Sequence, residues 1–219
     1  MIQIQPGLAL IFDLDGVIID SMPLHTKAWE VYLRRHGKWV PDLERRMHGG
    51  RNDQIVSAFF GGALTPEEIF EHGAAKERLF REMMGPELEW HLVGGVREFL
   101  VACQGVPKGI ASNAEPPNID FVLDGAGLRP FFDVLVDGHQ VANAKPFPDV
   151  YLRAAELLGY PAAHCIVFED SPTGVEAGRR AGMRVVGVGT HQGSLEGVEL
   201  MVPDFLDPRL PGWLMKQHP

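Results

Sequence analysis

The sequence predicts an α/β fold: a doubly wound, Rossmann-like parallel sheet carrying an inserted all-helical unit. Three observations predict it. Residues 8–20 read LALIFDLDGVIID, an apolar run that stops abruptly at Asp13-Leu14-Asp15-Gly16, as a buried strand ending in a turn does. From Gly94 onward strand and helix patterns alternate, the mark of a parallel sheet covered by helices. Between these, residues 24–84 hold helix patterns and no convincing strand. The chain has 219 residues, 45% of them apolar, enough for one domain with an insert. The expected division is a core of residues 1–20 and 89–219 and a helical insert of residues 21–88.

Each element follows from local chemistry. In the opening strand residues i and i+2 share a face, so Asp13 and Asp15 can point into one pocket while Leu14 points away. Gly16 then allows a sharp exit. Residues 24–36 set Leu24, Ala28, Val31 and Tyr32 at helical spacing, with Gly37 as the stop. Residues 53–60 form a short helix candidate. Thr65-Pro66-Glu67-Glu68 starts another, with Thr65 as N-cap, Pro66 at the first helical position and Glu68 closing a capping box. That helix is expected to reach Met84, where Gly85-Pro86 breaks it. Beyond Gly94 the order is helix 96–102, strand 108–111 ending at Ser112, helix 117–123 and strand 134–136. Helix 149–158, strand 165–168 ending at Glu169-Asp170, helix 173–181 and strand 185–188 complete it. Met83-Met84 and the four tryptophans read as packing.

The formal net charge of −9 argues against nucleic acid and anionic membrane as partners. It leaves room for a small phosphorylated metabolite, because local cations and a metal outweigh a global field. Cys103 and Cys165 lie in apolar settings and read as core thiols. No apolar stretch is long enough to span a membrane, and the N-terminus lacks the basic region of a secretion signal. A cytoplasmic monomer is the expectation.

The chemistry gathers at strand ends. In a parallel sheet Asp13 and Asp15, Ser112, and Glu169 and Asp170 fall on one edge, with Lys145 in a short loop nearby. Two unit charges ~5 Å apart repel by ~3 kcal/mol at an effective dielectric of ~20, so clustered carboxylates call for a cation. Oxygen ligands beside a phosphate point to Mg²⁺. Ser112 adds a hydroxyl donor and Lys145 a compact positive charge. Such a set suits phosphoryl transfer, which needs positioning and charge neutralisation. Taken singly, Ser112-Asn113 could be a turn, Lys145-Pro146 a solvated loop, and Glu169-Asp170-Ser171-Pro172 a helix cap. Their joint order and strand-end placement favour the functional reading.

DLDGVIID, IASNA, AKPFPDVY and FEDSPTG, in that order, resemble the four motifs of the haloacid dehalogenase superfamily. The insert after the first motif resembles the cap of the β-phosphoglucomutase-like group, which includes phosphosugar phosphatases. The resemblance implies that Asp13 is the nucleophile, accepting the phosphoryl group as an aspartyl phosphate, and that Asp15 is the general acid and then base. It implies that Ser112 and Lys145 hold phosphoryl oxygens, with Asn113 beside them at the substrate. Asp13, the Asp15 carbonyl, Glu169 and Asp170 would hold Mg²⁺.

In the insert the resemblance marks His25, Arg51 and Lys76 as substrate-facing; the other reading is a core histidine and two solvated helix charges. One departure bears on function. Mutases of this group tend to carry a Ser-x-Ser-Lys/Arg-Asn-like run after the second strand, whereas this chain reads Ser112-Asn113-Ala114-Glu115. An acidic residue there favours a phosphatase acting on a sugar phosphate over β-phosphoglucomutase. A receiver-like phosphoacceptor module is the alternative from another class.

Overall fold

The structure, a computed structural model, describes residues 1–47, 50–62, 64–190 and 194–219. Six parallel strands form one sheet: β1 (Ala9–Phe12), β2 (Lys108–Ala111), β3 (Val134–Val136), β4 (Cys165–Glu169), β5 (Arg184–Val188) and β6 (Leu200–Val202). Their order is β3-β2-β1-β4-β5-β6, so strand order reverses at β1, with β2 and β3 added to one side and β4 to β6 to the other. A crevice opens at such a reversal, beyond the carboxyl ends of the strands.

Alternation along β1 explains why both faces are covered. Leu8, Leu10 and Phe12 belong to one buried cluster, and Ala9 and Ile11 to another. On the first face α5 (Val96–Ala102) and α6 (Pro116–Gly125) supply Phe99, Leu100, Ile119 and Val122. Phe12 stacks there on Phe168 at 4.7 Å between ring centroids. On the second face α7 (Asp149–Leu158) and α8 (Pro172–Arg180) supply Val150, Tyr151, Ala154 and Val175. A last helix, α9 (Arg209–Leu214), buries Leu210 and Leu214 on the first face.

The insert consists of α1 (Met22–Arg35), α2 (Leu43–Met47), α3 (Asn52–Phe60) and α4 (Pro66–Met84). It has an apolar cluster of its own around Trp29, Tyr32, Leu33, Val56 and Phe59. The far end of α4 and the turn after it do not belong to that cluster: Phe80 and Met84 on α4 and Leu88 beyond it pack with the sheet-side core. The capping box forms with both of its hydrogen bonds, at Thr65 and Glu68. α4 ends at Met84 as expected, and Gly85-Pro86 opens a separate 3₁₀ turn over Gly85–His91, since proline is tolerated in a first turn. The tryptophans divide: Trp29 is buried, whereas Trp39 and Trp90 are 79% and 89% exposed. Both cysteines are buried and free. No helix among the described residues is long and apolar enough to cross a membrane.

Candidate active site

Strand register assembles the site. Phe12 stands opposite Phe168 on β4 and Ile110 on β2, so Asp13 and Glu169, the next residues, emerge side by side, and Ser112, one position further along β2, emerges at the same edge. Main-chain hydrogen bonds carry the pairing past the strands: Asp13 N donates to Phe168 O at 3.0 Å and Ser112 N to Val136 O at 3.0 Å. Lys145, in the loop before α7, reaches under this edge. Its ammonium lies 3.1 Å from Asp13 Oδ1 and 2.7 Å from Glu169 Oε1.

Glu169 is wholly buried and its carboxylate is surrounded by donors. Oε1 accepts from Lys145 and from the Tyr151 hydroxyl, each at 2.7 Å. Oε2 accepts from the main-chain N–H groups of Asp170 and Ser171 and from Ser171 Oγ, at 2.9 to 3.0 Å. Two glycines make this packing possible. A Cβ on Gly174 would overlap the Glu169 carboxylate, and a Cβ on Gly16, where φ is +72°, would overlap that of Asp170. The first and fourth sequence motifs thus need glycine for close approach, and the first for turning as well.

Asp13, Glu169 and Asp170 each place a carboxylate oxygen within 4.8 Å of the others. Burial pushes the pKa of Asp13 up to about 7 against the pull of Lys145, and the charge of Glu169 adds to the rise. Asp170 is likewise driven well above the usual carboxylate range by burial and by Glu169. Burial also acts to raise Glu169, but Lys145 and its hydrogen bonds hold it below its ordinary value. A cluster whose own charges oppose ionisation is a cluster suited to a divalent cation.

Asp15 faces a different environment. Burial acts to raise its pKa, and contact with His25 together with a 2.6 Å hydrogen bond from Ser21 Oγ overcomes it, so the carboxyl sits below its ordinary value. His25 Nε2 is 3.5 Å from Asp15 Oδ1, and His25 Nδ1 is 3.2 Å from Lys76 Nζ. His25 thus sits between the Asp15 carboxylate at the sheet edge and the Lys76–Glu77 pair of the insert.

Asp13, Asp15, Ser112, Asn113, Lys145 and Asp170 from the sheet edge and His25 and Lys76 from the insert line one cavity of about 70 Å³. Arg51 does not join them. It lines an adjoining groove with Asn113 and Glu115 and lies 3.1 Å from Asp53 Oδ2. Several side chains of the site carried no signal in the reading of the sequence: Ser21, Asn52, Glu77, Asn118, Tyr151 and Ser171. Tyr151 and Ser171 lie inside the third and fourth motifs, which was the available clue.

The sequence pattern of the haloacid dehalogenase-like hydrolases matches residues 8–182. The chain belongs to that family. A phosphorylated carbohydrates phosphatase of Thermotoga maritima is 33% identical over 189 residues, 82% of this chain and 84% of that one. The fructose-1-phosphate phosphatase YqaB of Escherichia coli is 31% identical over 193 residues, 82% and 95% of the two chains. Among solved structures, a β-phosphoglucomutase from Clostridium difficile superposes with a TM-score of 0.83 at 25% identity, covering 94% of this chain and 96% of that one. The chain is therefore an enzyme, a HAD-type phosphatase or phosphohexomutase. The receiver-like alternative has no support in this family.

Proposed function

We propose that this HAD-family enzyme is a Mg²⁺-dependent phosphohydrolase acting on a small sugar phosphate through an aspartyl phosphate on Asp13. The observation that carries the reading is the Lys145 ammonium, 3.1 Å from Asp13 and 2.7 Å from Glu169 at the floor of the cavity. The relatives in Thermotoga maritima and Escherichia coli, named for phosphorylated carbohydrates and fructose 1-phosphate, support the substrate class.

The Asp13 carboxylate attacks phosphorus, and the bond from phosphorus to the sugar oxygen breaks. The leaving oxygen takes a proton from Asp15. Water then attacks the aspartyl phosphate, giving its proton to Asp15 and releasing phosphate and Asp13. Ser112 and Lys145 hold phosphoryl oxygens in both halves. His25 and Ser21 favour the ionised form of Asp15, which is the form that receives a proton from water. Asp13, Asp170 and the main-chain carbonyl of Asp15 would hold Mg²⁺, whose charge would offset that of the phosphoryl oxygens. Glu169 completes the carboxylate cluster, and its five protein donors make it chiefly the anchor of Lys145 and of the Asp170 main chain. His25, Lys76 and Asn113 face the substrate, while Arg51 reaches it only from the adjoining groove.

A phosphohexomutase is the second reading, favoured by the fold shared with the Clostridium difficile enzyme. The test is β-glucose 1-phosphate primed with glucose 1,6-bisphosphate, with phosphate and glucose 6-phosphate measured side by side. Phosphate in excess is the expected outcome. Glucose 6-phosphate in wide excess makes the enzyme a mutase.

A further inference from the structure

Away from Asp13, the cavity is built from buried polar side chains that satisfy one another. Glu77 on α4 is their hub, 4% exposed. It pairs with the Lys76 ammonium. Its Oε1 accepts from Asn52 Nδ2 and its Oε2 from Asn118 Nδ2, each at 2.7 Å. Asn52 Nδ2 also donates to Glu115 Oε1 at 2.7 Å. One amide group therefore joins two carboxylates, one from the insert and one from the start of α6. Arg81, further along α4, is directed at Asn118 Oδ1 at 2.6 Å.

The charge on this side is consequently not positive. Among the described residues that line the cavity, the insert contributes one lysine and no arginine, and Glu77 matches that lysine. In the adjoining groove Glu115 adds a negative charge, tied to the cavity through Asn52, which lines both, and no ion pair of its own offsets it among the described residues. Met22, Trp29, Met47 and Ile55, also from the insert, add apolar side chains to the lining, with the Lys76 ammonium 5.0 Å from the Trp29 ring centroid.

We infer that Glu77 and Glu115, joined through Asn52, determine the specificity of the site: its far side takes the uncharged, hydroxyl-bearing part of a phosphomonoester and turns away a second phosphate. The inference rests on the phosphohydrolase reading and deepens it. A sugar hydroxyl donates and accepts, so it can donate to Glu115 and accept from Asn118 Nδ2, which spends one of its two hydrogens on Glu77. A phosphate group only accepts, and it carries about −1.5 to −2 charge at neutral pH. It would face carboxylates where the nearby cations are already matched, Lys76 by Glu77 and Arg51 by Asp53, and discrimination by such repulsion is strong. The apolar wall suits the C–H faces of a carbon chain.

The test uses two matched pairs: fructose 1-phosphate against fructose 1,6-bisphosphate, and ribulose 5-phosphate against ribulose 1,5-bisphosphate. kcat/KM is measured by phosphate release, and Kd by calorimetry on Asp13→Asn. The monophosphate is expected to win by on the order of 100-fold in both readouts. Glu115→Lys is expected to narrow the ratio about tenfold by tightening the bisphosphate, with Glu115→Gln between. Glu115 is half-buried at a helix start, where both variants fit without repacking the core. A ratio within about threefold in the wild type, or one that Glu115→Lys leaves unmoved, overturns the inference. Para-nitrophenyl phosphate separates the two claims. Its hydrolysis without a monophosphate preference overturns the specificity pair alone. Preference in binding without any turnover supports the pair and overturns the hydrolase reading alone.

Discussion

The Lys145 ammonium meets the Glu169 carboxylate at 2.7 Å, with both side chains shut off from solvent. A buried charge left without its partner is costly, about 3–5 kcal/mol. Lys145 keeps Asp13 at 3.1 Å, so Glu169→Gln should lower stability by the low end of that range, about 3 kcal/mol in urea unfolding, and lower kcat together with it, because Lys145 loses the nearer of its two carboxylates. Tyr151→Phe removes one hydrogen bond to the same carboxylate and should cost only about 1–2 kcal/mol. Equal stability losses for the two variants would mean that Glu169 is not the anchor of the lysine.

Gly16 stands where a side chain would run into the Asp170 carboxylate, and its φ of +72° disfavours any other residue. Gly16→Ala should displace Asp170 and raise the Mg²⁺ concentration needed for half-maximal activity at least about tenfold. Removing the metal from the wild type with a chelator should abolish turnover, and added Mg²⁺ should restore it. A wild-type Mg²⁺ curve for Gly16→Ala, or full activity in excess chelator, would contradict the metal assignment.

Glu77 has its pKa lowered to about 2: burial acts to raise it, and Lys76 and His25 outweigh burial. A carboxylate whose folded pKa is depressed adds stability above its unfolded value, and that stability is lost as pH falls through the folded one. From an ordinary value of 4.5 down to about 2, the contribution at neutral pH is on the order of 3 kcal/mol. Wild type and Glu77→Gln should therefore differ most in stability above pH about 5 and converge toward pH about 2. A difference that stays constant across this window would show that the Glu77 charge is not what stabilises the cluster.

Asp15→Asn keeps the nucleophile but removes the proton shuttle. Turnover of a sugar phosphate, whose leaving oxygen is strongly basic, should fall by on the order of 10²–10⁴. Para-nitrophenyl phosphate should suffer less. Equal losses for the two esters would deny Asp15 the acid role.

Local signals made most of the fold legible. The Thr65 and Glu68 side chains name the start of α4 by themselves, and the apolar run before Asp13 names β1. Three short elements escaped for physical reasons. β6 has only three residues, α2 only five, and α9 carries Pro211 and Gly212 inside RLPGWL. At the site, residues attached to strand ends could be read because parallel register brings those ends together. The Glu77 network could not, since its partners Asn52 and Asn118 lie 25 and 41 residues away on elements whose relative placement no local pattern encodes. For Arg51 the motif was legible but its placement was not: the fold directs it to the groove beside Asp53 rather than to the cavity.

The central claim is that Asp13 carries the phosphoryl group. Rapid acid quench of the enzyme with ³²P-labelled sugar phosphate, followed by peptide mapping, tests it most directly. The expected result is an acid-stable, hydroxylamine-labile label on the peptide containing Asp13, absent from a folded Asp13→Asn variant that has lost turnover. A label on another residue, or an Asp13→Asn variant that turns over near the wild-type rate, would contradict the account.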